Sequence, residues 1–230
     1  MSIIAESTRV VLEIGRKKVF AVVIDWPGWC RQGRDEASAL RALVTVAPRY
    51  AQIAQHAGLV FPLPENVASF TIVERLEGNA TTDFGAPAIP LATDWAPIEL
   101  QELDRTKALL TACWRALDEA VEMAEGRELQ KGPRGGGRDV AKIVEHVVEA
   151  EEGYLRALGW KPETVKLEPV AQRKTRIRRQ VFQGLEAATC GQIPREGPRG
   201  AQRWSPRFFV RRLAWHGVDH AWEIENRLPA

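Results

Sequence analysis

The sequence predicts an α+β protein in which a small N-terminal β-β-α-β domain is followed by an antiparallel four-helix bundle. Short runs rich in β-branched residues occur only before about residue 80, and long amphipathic helical repeats occur only after about residue 98. The composition is globular, with 45% apolar and 27% charged residues in a chain of 230. We therefore assign residues 1–80 to the first domain, 81–98 to a linker or lid loop, and 99–230 to the bundle.

The first domain is predicted from three strands and one helix. Strands are expected over Thr8–Ile14 and Val19–Ile24, close enough in sequence to pair as a hairpin. Apolar residues at helical spacing predict a helix over Asp35–Gln55, which Pro48 is expected to bend or split. The alternating run Phe70–Leu76 predicts a further strand.

The stretch from residue 77 to residue 98 is rich in glycine and proline and shows no periodic element. Within it, Gly78–Pro87 places Thr81, Thr82 and Asp83 between glycines. Two interpretations stay open: an ordinary interdomain linker, or a lid that closes over a site in the bundle.

Four amphipathic helices are predicted after residue 98. Ser205 followed by Pro206 is a typical N-cap with proline at the first helical position. A turn is expected at Gly132–Gly137, between the first two helices. The predicted helices span 99–125, 139–158, 169–188 and 205–226.

The histidines are the residues most suggestive of chemistry. His216 and His220 are four residues apart on the apolar stripe of the last helix, so both imidazoles can reach one ion. His146, near the edge of the stripe of the second bundle helix, could add a third ligand from a facing helix. Such a set suits zinc, nickel, iron or manganese. The alternative is three histidines on a solvated face, bonded to nearby carboxylates.

Three carboxylates are candidates for proton transfer or for orienting the histidines. Glu149 follows His146 by about one helical turn, and Glu223 follows His220 in the same way. Asp219 lies beside His220 and could accept a hydrogen bond from an imidazole. We predict Glu149, Asp219 and Glu223 as the catalytic group. The predicted metal ligands are His146, His216 and His220.

The segments EHVVEAEEGYLRALG and RRLAWHGVDHAWEIENR carry His146 and the pair His216 and His220. In helix order and histidine placement the bundle half resembles the DinB-like family, which includes mycothiol-dependent maleylpyruvate isomerases. The resemblance implies a four-helix bundle that binds a divalent metal through these histidines. Some members of that family transfer thiols, or isomerise or hydrolyse small substrates.

The N-terminal half carries a shorter motif, VFAVVIDWPGWCRQGRDEASALRAL. On the strength of this motif, the first half of the chain, roughly residues 8–78, resembles a HicB-type antitoxin domain. In such a domain a Pro-Gly turn and a short polar strand ending in glycine precede an acidic helix start. The residues at those places are Pro27, Gly28, Gly33, Asp35, Glu36 and Ala37.

The distribution of charge and the cysteine content limit the classes of partner and the cellular compartment that we expect. The basic run Arg173–Gln180 lies on a predicted helix without an aromatic platform, so we expect a solvated helix face and no nucleic-acid partner. The alternative is that these arginines hold an acidic substrate or a thiol peptide.

Three scattered cysteines without a CxxC pair fit a reducing cytoplasm, and no apolar run is long enough for a membrane span. The N-terminal residues lack the pattern of a secretory signal.

These observations favour a cytoplasmic, metal-binding protein that acts on a small-molecule substrate. As an enzyme it would use a divalent transition metal to activate water or a low-molecular-weight thiol, in a transferase, isomerase or hydrolase reaction. The alternative is a non-catalytic scaffold or homodimer in which the HicB-like domain recognises a protein partner.

Overall fold

The computed structural model describes residues 7–132 and 137–229, which form two compact units, one ending at Ala92 and one beginning at Thr93. Its elements confirm the α+β class with a C-terminal helical bundle. The strands are β1 (Thr8–Ile14), β2 (Val19–Val23), β3 (Cys30–Gly33) and β4 (Phe70–Glu77). The helices are α1 (Glu36–His56), α2 (Ala80–Phe84), α3 (Leu100–Met123), α4 (Val140–Leu158), α5 (Val170–Thr189) and α6 (Pro206–Arg227).

The described residues of the first unit form a four-stranded mixed sheet in the order β3-β2-β1-β4. β2 is antiparallel to both of its neighbours, and β4 pairs with β1 in parallel. The strand β3 is missing from the predicted β-β-α-β order, but it lies where the HicB resemblance implies a short polar strand that ends at Gly33. It is four residues long and carries Arg31 and Gln32, so it lacks the apolar alternation by which the other strands were found.

Helix α1 continues through Pro48, so the sequence-based expectation of a split at this residue was wrong. Proline removes one main-chain hydrogen bond. Buried residues on both sides of it, among them Leu43 and Tyr50, still hold one continuous face against the core. The helix begins with a capping box, in which the Asp35 side chain accepts from the Ser38 amide at 2.7 Å.

The segment after β4 is not irregular as the sequence suggested, because residues 80–84 form α2. Buried Glu13 of β1 fixes this segment: it accepts a hydrogen bond from the Thr82 hydroxyl and from the amides of Ala88 and Ile89, at 2.9 and 3.1 Å. Asp83 accepts from the Lys17 amide at 2.7 Å. The lid hypothesis stays a prediction.

Within its described residues the second unit has four long helices, each beginning and ending within two residues of its predicted bounds. Asp139 caps α4 by accepting from the Lys142 amide at 2.8 Å, and Ser205 caps α6 by accepting from the Phe208 amide at 3.3 Å. Gly159 ends α4 with a φ of 100°, a left-handed conformation that favours glycine. Of the predicted turn at Gly132–Gly137, residues 133–136 lie outside the described residues.

Two helices of the bundle run in each direction. The Trp204 amide donates to Ala157 O at 2.9 Å, which joins the start of α6 to the end of α4 and makes these helices antiparallel. Arg207 pairs with Glu102, so α3 and α6 begin at the same end and run the same way. On α5, Arg173 pairs with Glu152 of α4 at 2.9 Å, whereas Gly184 lies against the end of α4. Helices α4 and α5 are therefore parallel, and residues 159–169 return the chain along the bundle.

A strap of residues 94–98 is fixed to the start of α6. Asp94 and Arg211 form a buried ion pair in which Arg211 Nε donates to Asp94 Oδ1 at 2.9 Å. Arg207 donates to the carbonyls of Ala96 and Pro97 at 3.1 and 2.7 Å.

The basic run on α5 is not the solvated face that the sequence suggested. Lys174 and Arg178 both pair with Asp118 of α3, and Arg176, only 9% exposed, pairs with Glu168 at 2.7 Å. Asp118 lies on another helix and Glu168 precedes α5, so helical spacing within α5 gave no sign of either partner. These charges hold α5 to the rest of the bundle. None of the described helices is both long enough and apolar enough to cross a membrane.

Candidate metal centre

Three histidines from two facing helices meet in the bundle. His146 on α4 is half-buried, and His216 and His220 on α6 are buried, with exposed fractions of 6% and 8%. The inward orientation predicted for the α6 pair is therefore confirmed. The Nε2 atom of His216 lies 3.3 Å from Nε2 of His146 and 3.2 Å from Nε2 of His220. One ring nitrogen from each histidine lies within 4.8 Å of the other two.

This spacing fits the donor set of a transition-metal ion. Zn–N bonds of about 2.0–2.1 Å at tetrahedral angles separate two ligand nitrogens by about 3.3 Å. The two measured Nε2 separations, 3.3 and 3.2 Å, agree with that value. Three imidazoles also leave at least one coordination position open, which is typical of catalytic rather than structural sites.

Glu223 and Arg227 orient His220. Its Nδ1–H donates to Glu223 Oε2 at 2.8 Å, so the tautomer leaves the Nε2 lone pair facing the other two rings. Arg227 Nη1 donates to Glu223 Oε1 at 2.8 Å, and Arg227 Nε donates to Gln130 O, also at 2.8 Å. Arg227 is buried, so this chain of contacts holds the His220 ring in one orientation.

Burial keeps two of the imidazoles neutral. It lowers the pKa of His216 well below 6.5, with smaller contributions from neighbouring His220 and His146. Burial and then the charge of His220 also lower the pKa of His146. The hydrogen bond from His220 lowers the pKa of Glu223. At neutral pH the site therefore presents neutral imidazole nitrogens and an ionised carboxylate, the forms in which these groups act as ligand and orienting partner.

One polar atom of the cluster has no partner. The buried Nδ1 atom of His216 makes no hydrogen bond to any residue that the structure describes. Two aromatic rings lie beside the His216 ring: the ring centre of Tyr154 is 5.8 Å from that of His216, and the ring centre of Trp215 is 5.9 Å from it. Arg212 donates to the Tyr154 hydroxyl at 3.1 Å and stacks over Trp215. His216 is therefore packed by aromatic rings, and no carboxylate among the described residues accepts from its Nδ1.

The three predicted carboxylates differ in their position relative to the histidine cluster. Glu223 contacts His220, as described above. Glu149 is exposed on α4, and its charge raises the pKa of His146 without a hydrogen bond among the described contacts. Asp219 is half-buried on α6. Of the three, the structure shows one in contact with the histidines.

Sequence reasoning missed Arg227, Tyr154 and Arg212. Arg227 follows Glu223 by four residues, a spacing at which opposite charges pair on a helix, so this partner could have been found. Tyr154 and Arg212 come from different helices, and their contact depends on the register between α4 and α6.

The fold and the cluster together define a helical-bundle protein with a histidine site built from two facing helices. A family model described as the DinB superfamily matches residues 109–224, about half of the chain, and this range contains all three histidines. The chain belongs to the DinB superfamily. Comparisons with curated proteins and with solved structures found no match.

Proposed function

We propose that the bundle binds one divalent transition-metal ion through Nε2 of His146, His216 and His220, and that the protein is a metal-dependent enzyme for a small-molecule substrate. The observation that carries the proposal is the convergence of the three Nε2 atoms at separations suited to one ion. Membership of the DinB superfamily supports it.

Hydrogen bonds among the three imidazole rings satisfy their nitrogen atoms less well than one bound metal ion would. His220 donates its Nδ1–H to Glu223, and in the neutral tautomer its Nε2 is an acceptor. A proton on His216 Nε2 can point at His220 or at His146, but not linearly at both. One of the two short N···N contacts would then lack a good hydrogen bond in a buried place, which is costly. An ion that accepts all three lone pairs removes this conflict.

The residues of the chain define the chemistry that such a site supports. A bound divalent ion would lower the pKa of a coordinated water or thiol and act as a Lewis acid towards the substrate. Glu223, locked by Arg227, holds His220 and is occupied by that contact, so we assign it a positioning role. Glu149, exposed beside His146, is free to carry a proton between the site and solvent. Asp219 is kept as a second candidate for that step.

Elemental analysis of protein purified without chelator or polyhistidine tag tests the metal site. We expect about one equivalent of a transition metal in the wild type, and its loss in His216→Ala and in His146→Ala. The matched control is His56→Ala, which removes the fourth histidine, at the exposed end of α1. Absence of metal in the wild type after addition of Zn²⁺, Ni²⁺ and Mn²⁺ would refute the proposal, as would retention in both cluster variants.

Activity is tested on the metal-loaded protein against thiol-transfer and hydrolase substrates. Glu149→Gln should retain the metal and lower turnover, because it removes a proton carrier and no ligand. Equal turnover in this variant would refute the role of Glu149 and leave the metal site intact.

We further propose that the first unit is HicB-like in fold. The residues of the motif support this, because they have the backbone conformation, the close packing and the helix cap that such a motif needs. Gly28 has a φ of 97°, and a Cβ on Gly33 would lie only 2.3 Å from the Ala39 nitrogen. Asp35 caps α1. A protein partner is the ligand that this likeness suggests.

A further inference from the structure

Besides the histidine cluster, the bundle has a cavity at the end where α4 and α5 end and α6 begins. It has a volume of about 340 Å³, at the small end of the range of about 300–1,000 Å³ for small-molecule sites. Residues 95–98 of the strap form one part of its lining, and the hairpin-like loop 191–204 contributes another. None of the three histidines lines it.

The walls of this cavity are held in place by contacts outside it. Arg207 fixes the strap through the carbonyls of Ala96 and Pro97. The loop is closed on itself, because the Arg203 amide donates to Arg195 O at 3.0 Å and Gly197 N donates to Ala201 O at 2.7 Å. A cavity with braced walls costs little conformational entropy to fill.

Its lining combines flat apolar surfaces with positive charge. Trp95 and Trp204 contribute indole rings, and Ile98 and Leu158 contribute buried aliphatic side chains. The charged lining residues among those that the structure describes are Arg195 and Arg203, with no Asp or Glu.

The two arginines have no carboxylate partner among the described residues, and the Arg203 guanidinium packs against Gly159. Within residues 7–132 and 137–229, neither Arg195 nor Arg203 forms an ion pair; Arg203 Nη1 donates to the Pro194 carbonyl at 3.1 Å. The Thr189 hydroxyl, also in the lining, is buried and has no hydrogen-bond partner in the same residues. Two cations without a carboxylate in the lining favour an anionic ligand with oxygen acceptors.

A larger cavity, of about 1010 Å³ and lined by the end of α3 and the start of α4, shows no such preference. Its lining has four cationic and four acidic side chains, and Lys142 already pairs with Asp139 at 3.0 Å. The smaller cavity is therefore the one whose charge selects a ligand class.

We propose that the 340 Å³ cavity is a binding site for a small aromatic carboxylic acid, whose ring lies among the tryptophans and whose carboxylate is bound by Arg195 and Arg203. Arginine binds carboxylates through paired N–H donors, and indole rings bind flat apolar groups over a large area. The site differs from the histidine cluster, so it goes beyond the proposed metal-dependent function and does not rest on it.

Calorimetric titration with three probes of equal ring size tests the ligand class. We use 2-naphthoate, neutral 2-naphthamide and cationic 2-naphthylmethylamine on the full chain. The carboxylate should bind at least fivefold more tightly than the amide, and the amine should bind most weakly. Absence of carboxylate binding, or equal affinity for the carboxylate and the amine, would overturn the proposal.

Variants locate the site. Arg195→Gln should weaken 2-naphthoate about tenfold and leave 2-naphthamide unchanged, while Ala188→Phe, which places a ring in the cavity, should weaken both probes. The matched control is Arg199→Gln, which removes a cation of the same loop that does not line the cavity. Thermal unfolding of each variant checks that it is folded. Unchanged binding of 2-naphthoate by folded Arg195→Gln, or equal weakening in Arg199→Gln, would contradict the assignment.

His216→Ala should keep the naphthoate affinity of the wild type. This variant therefore distinguishes failure of the proposed carboxylate site from failure of the proposed metal site.

Discussion

Replacing Glu151 with glutamine should stabilise the protein at pH 8 far more than at pH 5. Glu151 lies on α4 and is 2% exposed. Its Oε1 accepts from Trp114 Nε1 at 2.7 Å, and its Oε2 has no partner among the described residues. Burial raises the pKa of Glu151 from 4.5 to about 7, although Arg178 and Lys174 oppose the shift. Asp118 adds to it.

The size of the effect follows from proton linkage. Between pH 4.5 and about 7 the folded protein keeps a proton on Glu151 that the unfolded chain releases, so the free energy of unfolding falls as the pH rises through this window. A shift of about 2.5 pKa units corresponds to about 3 kcal/mol in full. Most of it develops between pH 5 and pH 8, where the advantage of the glutamine variant should grow by about 2 kcal/mol.

Urea unfolding of the wild type and of Glu151→Gln at pH 5, 6, 7 and 8 measures this growth. A constant difference in packing between the two side chains cancels, because only the change with pH is compared. Glu145→Gln, an exposed position on the same helix, is the control and should show no such trend. A difference between wild type and Glu151→Gln that stays flat or shrinks as the pH rises would refute the reasoning.

Three further predictions concern buried polar contacts. Glu223→Ala should weaken metal binding about 10- to 100-fold, measured by competition with a coloured chelator, because His220 loses its orienting acceptor. Asp94→Ala should lower the free energy of unfolding by about 3–5 kcal/mol in urea, because Arg211 stays buried without a counter-charge. The metal-free wild type should lose stability as the pH falls below 6.5, since burial lowers the pKa of His216; His216→Gln should lose less.

Each of these has a clear contrary outcome. Unchanged metal affinity would show that Glu223 is not needed to orient the ligand. A loss below 1 kcal/mol at Asp94 would mean that water reaches Arg211. Parallel acid profiles of wild type and His216→Gln would mean that this imidazole becomes protonated in the folded state.

The helices could be predicted because their signals are local. Asp139, Ser205 and Pro206 mark helix starts in the sequence itself, and the structure places α4 and α6 accordingly. The histidine pair His216 and His220 was found for the same reason, since spacing along one helix fixes the shared face.

Features that depend on residues distant in sequence could not be predicted. The cations of α5 pair with Asp118 and Glu152, on other helices, so the sequence of α5 alone indicated a solvated surface. The short helix α2 depends on Glu13, about seventy residues earlier. Hydrophobic alternation gave no sign of β3, which depends on its pairing with β2, although the HicB resemblance implies a short polar strand at this place. In each case a tertiary contact overrides a weak local signal.

Buried charges also decide where the polypeptide can be divided for separate expression of its halves. A fragment that stops at residue 80 would leave the Glu13 carboxylate without the hydroxyl and amides it binds. A fragment that starts at residue 99 would lack Asp94, and Arg211 would lose its counter-ion. Both predicted boundaries therefore separate the partners of a buried polar contact, whereas a cut between Ala92 and Thr93 keeps these partners together on each side.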